Sequence, residues 1–398
     1  MIVLVLNAGS SSEKSCLYNL SEFSIDTPAK PLWKADIDWS IDSSGGVLTV
    51  SGNDRQKKVK LERDNSLKVL LDTLIEGETK VLDSLDRIDV VGHRVVHGGT
   101  NSQPRIIDGD VKQAIADLIP LAPSHNPANL EGIETIEKIL PNIPQVAVFD
   151  TAFHSTISEP AKVYPLPYKY YDRGIQRYGF HGISHEYCAH RTAHILQQPL
   201  DLKIINCHLG NGCSIAAIKD GVCIDTTMGF SPLEGLMMGS RSGSIDPQII
   251  VYMMQEYGMG IEKIDRLLNK DSGLKGVSGI SNDMRTVIEE IDKGNDRAQL
   301  ALDIYIHSLV KAIGSMVASL NGLDVLVFTA GVGENNGIVR EKACAGLQYL
   351  GLELDTAKNN AAPKDENIAT KNSQFPVLVM HTEEEWAIAC SASTAVNS

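Results

Sequence analysis

The chain has 398 residues, with 50 acidic against 36 basic side chains and a formal net charge of -14. That balance excludes general binding to nucleic acid or to anionic membranes, so any phosphate ligand must be held by local donors and not by the overall field. Apolar residues make up 43% and charged residues 22%, the composition of a soluble globular protein with room for two domains.

The first element is the apolar run MIVLVL, which ends abruptly at Asn7, Ala8, Gly9 and three serines. It is shorter than the ~7–15 residues of a secretion-signal core and no basic residue precedes it, so a buried strand is expected. Similar runs follow: IDVVG before HRVVHGG, QVAVF before Asp150, LKIIN before CHLGNG, and DVLVF before TAGVGEN. Short continuous apolar runs read as strands buried on both faces. Their polar tips mark the places where open α/β sheets hold ligands.

Helical patterns lie between the strands. Asp246 and Pro247 ahead of QIIVYMMQEYG supply an N-cap acid and a proline at the helix start. From Asp296 to Leu320 the apolar residues Leu302, Tyr305, Leu309, Ile313, Met316 and Leu320 keep helical spacing, and Asn321-Gly322 ends the run. Residues 359–374 (NNAAPKDENIATKNSQ) read as a surface loop. The alternation of strands and helices makes this an α/β protein. No stretch approaches the ~18 uninterrupted apolar residues of a membrane span. The seven cysteines are scattered without a CxxC pair, the pattern of reduced cytoplasmic thiols.

The strand-and-turn MIVLVLNAGSSS has an echo near the midpoint, LKIINCHLGNGCSIAAI. Either one β-hairpin is used once per half, or two unrelated turns share small residues. Three loops could hold phosphate. NAGSSSEK offers hydroxyls, backbone N–H groups and Lys14; HLGNGCS offers an asparagine amide between glycines; TAGVGENN places glycines at a helix start. Singly each reads as a hairpin or cap; together, each directly after a buried strand, they point to a nucleotide. The P-loop pattern GxxxxGK[ST] is absent, and no GxSxG surrounds the serines.

Arg94 in GHRVVHGG and Arg241 in GSRSGSIDP carry permanent planar charges suited to carboxylate or phosphoryl oxygens; either could equally be a solvated surface residue. Asp150 ends a strand, where it could serve a metal or orient a ligand, or cap the turn that follows. His181, His185, His190 and His194 invite a zinc reading, but His190 falls one residue too late for HExxH. A helix with surface or capping histidines is the plainer expectation. Phosphoryl transfer to a carboxylate needs no base, because that acceptor is already ionised; the obstacle is repulsion between two anions. Two arginines, a histidine and a divalent cation address that obstacle. The residues by themselves thus point to a nucleotide-using transferase with an anionic acceptor.

The motifs NAGSSSEK, GHRVVHGG, APSHNP, FDTAFH, RYGFHGISH, HLGNGCS, GSRSGSIDP, DMR, FTAGVGEN and HTEEEWAIA, in this order from residue 7 to about residue 390, resemble those of the acetate and propionate kinase family. The resemblance implies a two-domain actin/hexokinase-like (ribonuclease H-like) α/β fold with a duplicated β-sheet core and phosphate-binding hairpins. It implies a first domain of residues 1–150 plus about 385–398, and a second of 151–384 carrying most of the adenosine site. The implied reaction is reversible Mg2+-dependent transfer between ATP and acetate, giving acetyl phosphate and ADP by direct in-line transfer. Mn2+ is an alternative metal, and propionate or another short-chain acid an alternative acceptor; a non-catalytic ATP-binding protein of this fold is a rival. The family is typically a cytoplasmic homodimer.

By the same resemblance, Arg94 and Arg241 bind the acceptor carboxylate and stabilise the phosphoryl group, and His181 hydrogen-bonds it in transit. Asp150 is catalytic and, with Asn7 and Glu384, serves the metal. Ser10, Ser12 and Lys14 make the first phosphate hairpin, and His208, Leu209, Gly210, Asn211 and Gly212 the second. Asp283, Met284 and Arg285 bind ribose and adenine, and Gly331, Val332, Gly333, Glu334 and Asn335 close over the adenosine. Val96, Phe180, Pro232 and Ser124 surround the acceptor methyl group. Ser124 stands where the family usually has leucine, Ser244 for aspartate, Glu383 for asparagine and Cys213 for a smaller residue. Glu13 and Ser15 replace a leucine and a large apolar residue; strand alternation turns them away from Lys14.

Overall fold

The structure, a computed structural model, describes residues 1–8, 12–42, 45–62, 65–123 and 125–398. Ser10 and Ser124 lie outside the described residues, as do the side chains of Ser12 and of residues 40–42. The chain divides into two compact units. One comprises Met1–Ser155, Gly182–Tyr187 and Glu383–Ser398, the other Thr156–His181 and Cys188–Thr382.

The first unit is built on a sheet of eight strands: β1 (Ile2–Ala8), β2 (Ser12–Asn19), β3 (Trp33–Asp42), β4 (Gly45–Gly52), β5 (Arg55–Leu61), β6 (Val90–Val95), β7 (Arg105–Ile106) and β8 (Gln145–Phe149). Their order is β5-β4-β3-β2-β1-β6-β8-β7. The first five strands form an antiparallel meander, whereas β1, β6 and β8 run parallel. The second unit's sheet has β9 (Lys203–Leu209), β10 (Cys213–Lys219), β11 (Val222–Thr226), β12 (Val325–Thr329), β13 (Glu366–Asn367) and β14 (Val377–Val379), in the order β11-β10-β9-β12-β14-β13. In both sheets an antiparallel meander, of five strands in the first and three in the second, meets two parallel strands at its first strand, β1 or β9. The echo is therefore a duplicated core, as the actin/hexokinase resemblance implies.

The parallel strands are apolar because both of their faces are covered: Val3 to Val5, Val146, Ala147, Ile204, Ile205 and Leu326 to Phe328 are fully buried. The helix Glu384–Asn397 packs on β1, β6 and β8, with Trp386 set edge-on against Tyr18 at 5.3 Å. The helix Asp296–Leu320 is long and apolar enough to cross a membrane. Here it lies on β10 with Leu302, Tyr305, Leu309, Ile313 and Met316 buried. Residues 359–374 depart from the surface-loop expectation. Asn359 and Ile368 are buried, and β13 pairs with β14, because Ile368 completes the core beneath the sheet edge. His185 departs too: it is fully buried, edge-on to His154 at 5.7 Å, on the inward side of the helix Gly182–Leu196.

The register of β1 and β2 sets Lys14 opposite Asn7 and Ser15 opposite Leu6, so Glu13 and Ser15 share the other face. That face holds more than a polar pair. Glu13 Oε1 accepts a hydrogen bond from Trp39 Nε1 at 3.0 Å, and Glu13, Ser15, Trp39, Leu67 and Asn129 line a cavity of about 400 Å³ whose wall reaches Asn7 and Arg94. Filling it with Ser15→Phe and Glu13→Leu gains ~1.5–3 kcal/mol of apolar burial. The lost Trp39 bond costs ~0.5–1.5 kcal/mol. The double variant should therefore keep turnover and melt ~2–4 °C higher. A lowered melting temperature in a thermal scan would show that the cavity is required.

Candidate active site

In the first unit, three parallel strands deliver three side chains to one sheet edge. Asn7 closes β1, Arg94 lies near the end of β6, and Asp150 directly follows β8. Arg94 Nε and Nη2 donate to Asp150 Oδ2 at 3.0 and 2.5 Å, and Nη1 donates to Asn7 Oδ1 at 3.2 Å. Asn7 Nδ2 in turn donates to Glu384 Oε2 at 3.3 Å and to Glu385 Oε1 at 2.9 Å. Alternation along β6 turns His93 to the opposite face. There it meets Gln145 Oε1 at 2.7 Å, and burial pushes its imidazole down to about 4.

Charge is concentrated and buried here. Asp150 is 2% exposed, and burial, with Glu384 adding, raises its carboxyl against the pull of Arg94. Burial disfavours the Arg94 charge, but Asp150 and then Glu384 hold it, so the guanidinium stays protonated. Lys14 is held above its ordinary value, first by Glu385. Gly182 N donates to Asp150 O at 2.9 Å, and a Cβ on Gly182 would stand 2.2 Å from that oxygen. Only glycine allows that contact.

Asp150, Glu384 and the Asn7 amide present oxygen donors, the ligand type of a hard divalent cation. Among the described residues no three His, Cys, Asp or Glu side chains converge as a cage. Such a set fits Mg2+, which takes one or two carboxylates and completes its shell with water and phosphate oxygens.

In the second unit the β9–β10 hairpin turns through Gly210, Asn211 and Gly212, closed by Gly210 N to Gly212 O at 3.0 Å. His181 precedes its helix in the left-handed conformation, φ 58°. Its ring stacks on His208 at 4.0 Å, and its Nδ1 lies 2.8 Å from Ser214 Oγ. A Cβ on Gly212 would stand 3.2 Å from Arg241 Nη1 and 3.5 Å from the His181 ring. The hairpin, the histidine and the arginine therefore share one corner. Arg241 Nη1 donates to Pro232 O at 3.1 Å, burial lowers its pKa, and among the described residues no carboxylate pairs with it. Cys213 anchors the hairpin from beneath through Tyr305, and burial pushes its thiol up to about 11.

Other expected residues of the second unit lie on the segments that follow the hairpin. Asn211 Oδ1 accepts from Asn282 Nδ2 at 3.2 Å, next to Asp283, which caps the helix Met284–Asp292 and pairs with Arg285 at 2.6 Å. Met284 is buried. Gly331 to Asn335 lie in the short helix Ala330–Asn335 after β12. Phe180 and Pro232 belong to the second unit, Val96 to the first.

Glu385 escaped the sequence reading, although HTEEEW displays it. So did Arg340, which is 1% exposed and donates to the carbonyls of Gly333 and Glu334, each at 2.8 Å. A lone arginine between apolar residues carries no pattern that reveals those carbonyls.

Comparison with known proteins agrees with this geometry. Residues 2–390 match the model of the acetokinase family. An acetate kinase from Gloeothece citriformis (strain PCC 7424) is 59% identical over 395 residues, 98% of each chain. The crystal structure of Porphyromonas gingivalis acetate kinase superposes with a TM-score of 0.90 at 40% identity, covering 99% of each chain. A propionate kinase from Francisella tularensis subsp. tularensis SCHU S4 gives the same values. A duplicated sheet and a match along nearly the whole length lead to one conclusion: the chain belongs to the acetokinase family.

Proposed function

We propose that the protein is an acetate kinase: an acetate oxygen attacks the γ-phosphorus of ATP, the bond to the β-phosphate oxygen breaks, and acetyl phosphate and ADP result, reversibly. The observation that carries this reading is Arg241, a partly buried cation without an acid partner among the described residues, beside His181 and a glycine hairpin. Such a group awaits an anion, and charge spreads over the phosphoryl oxygens during transfer. Arg94, oriented by Asp150 and Asn7, takes the acceptor carboxylate. His181 donates to the moving phosphoryl group. Lys14, Ser10, Ser12 and residues His208 to Gly212 hold the phosphates. Asp283 to Arg285 and the backbone of Gly331 to Asn335 hold the nucleoside. Val96, Phe180, Pro232 and Ser124 enclose the methyl group.

Asp150, Glu384 and Asn7 would hold Mg2+, or Mn2+ with the same oxygen ligands. When bound, the cation supplies neutralisation of phosphate charge. No base is required, because the acceptor is ionised at neutral pH.

Ser124 is shorter and more polar than the leucine usual in the family. With ATP, Mg2+ and hydroxylamine, acetate should give the highest kcat/KM for trapped acyl phosphate, with propionate ~10–200-fold lower. A preference for propionate would change the acceptor, and no trapped product from any acid would overturn kinase activity. The seven buried thiols suit the reducing cytoplasm. The helix Gln248–Glu256 exposes Ile249, Val251, Tyr252 and Met254, an apolar face suited to a second copy of the chain; the purified protein should have twice the chain mass in light scattering.

A further inference from the structure

The short helix Ala330–Asn335 is fixed from two directions within the second unit. From beneath, Arg340 donates to the Gly333 and Glu334 carbonyls, while its Nε and Nη2 bind Asn359 Oδ1 and O at 2.8 and 2.7 Å. This fully buried guanidinium has only carbonyl and amide acceptors in these bonds, so it serves to hold backbone. From the side, the Glu334 carboxylate is occupied by protein. Its Oε2 lies 2.6 Å from His381 Nδ1, and its Oε1 accepts from Thr382 N at 3.2 Å. His381 N donates to Asp365 Oδ1 at 3.0 Å, and Asp365 Oδ2 accepts from Arg191 Nη2 at 2.8 Å.

His381 and Thr382 are the last residues of the second unit before the chain passes to the first. Two residues later begins the helix Glu384–Asn397, whose first side chains bind Asn7. The turn expected to close over adenosine is therefore joined to the segment that leads into the expected metal carboxylates. Two contacts make the join, one of them from an acid to a backbone N–H. An acid that only recognised ribose would have its oxygens turned outward; both oxygens of Glu334 face the chain instead.

We propose that Glu334 is a positioning residue, a latch that couples nucleotide occupancy of the Ala330–Asn335 turn to the placement of Glu384 and Glu385. This rests on the nucleotide and metal roles proposed above. A nucleotide that orders the turn orders Glu334, and Glu334 then fixes His381 and Thr382 and the start of the final helix. Reciprocity requires metal bound at Glu384 to tighten the nucleotide by the same factor.

The test compares wild type with Glu334→Gln and His381→Gln. Hydrogen exchange of the 380–386 backbone is followed with and without ADP, alongside Mg2+ titration of activity. In wild type, ADP should slow exchange at 381–382 by ~10-fold or more, and in Glu334→Gln it should not. The Mg2+ concentration for half-maximal rate should rise ~10-fold in Glu334→Gln, whereas ADP affinity measured in EDTA should change less than about 2-fold. His381→Gln should reproduce both effects, and the double variant should be no worse than either single one. Lost ADP affinity with unaltered exchange would make Glu334 a nucleotide ligand and overturn the latch, as would an unchanged Mg2+ requirement. A wild type that makes no acyl phosphate would overturn the proposed activity instead. The exchange measurement judges the latch apart from catalysis.

Discussion

Arg241→Ala should lower kcat by about 10²–10³-fold while leaving KM for ATP within a few-fold. The effect is electrostatic. Arg241 is held by the Pro232 carbonyl and lies beside Met238, and among the described residues no carboxylate pairs with it, so its field is available to a developing anion. Nucleotide binding is spread over the hairpin and the adenosine segments, so removing one cation alters it little. Phosphoryl charge in transit has few other cations in this unit's corner, so the transition state loses most. Arg241→Lys should recover only part of the rate, since an ammonium lacks the planar fork. Steady-state kinetics with varied ATP and acetate separate the two terms. Near-normal kcat in Arg241→Ala would remove this residue from the machinery.

Arg94→Ala should combine loss of activity with loss of stability. It strips the partner from Asp150, a carboxylate 2% exposed with Glu384 nearby, and breaking such a pair costs about 3–5 kcal/mol. The sign of the pH dependence follows from burial. Without Arg94 the folded-state pKa of Asp150 lies further above its unfolded value of ~3.9. The folded state then binds more protons than the unfolded state as pH rises past that value, so stability declines with rising pH. The deficit relative to wild type should be largest near pH 8 and shrink toward pH 4. Urea unfolding at several pH values checks this, and a loss below about 1 kcal/mol throughout would show that Arg94 and Asp150 are held by other contacts. Acetate turnover should fall at least ~10²-fold, because the acceptor loses its fork-shaped partner.

Both predictions concern residues that the sequence displayed without showing why they belong together. Buried strands were legible because β1, β6, β8, β9 and β12 are apolar on both faces. Strand β5 was not, because RQKKVKL lies at the sheet edge with most of its side chains in solvent. The hairpin echo was legible as a pattern, but its meaning needed the two strand orders side by side. Asn7, Arg94 and Asp150 are far apart in the chain, and parallel pairing of their strands brings them to one edge, which no local pattern encodes. Glu334 was read as part of a glycine-rich turn. Its side chain bonds to a histidine 47 positions away, and that separation hides the partner. Glu13 was read by alternation, which gave the correct face but could not show the Trp39 bond or the cavity.

The helix Glu384–Asn397 gives the order of synthesis a structural meaning. The second unit's larger part, Cys188–Thr382, is continuous, so its sheet can close while the ribosome is still adding residues. The first unit starts earlier but waits longer. Strands β1, β6 and β8 emerge first, yet the helix that covers them and supplies Glu384 and Glu385 to Asn7 is made after the whole of the second unit. Until then the parallel strands of the first unit lack their cover, so the cluster of Asn7 with Glu384 and Glu385 forms only after the second unit has been synthesised.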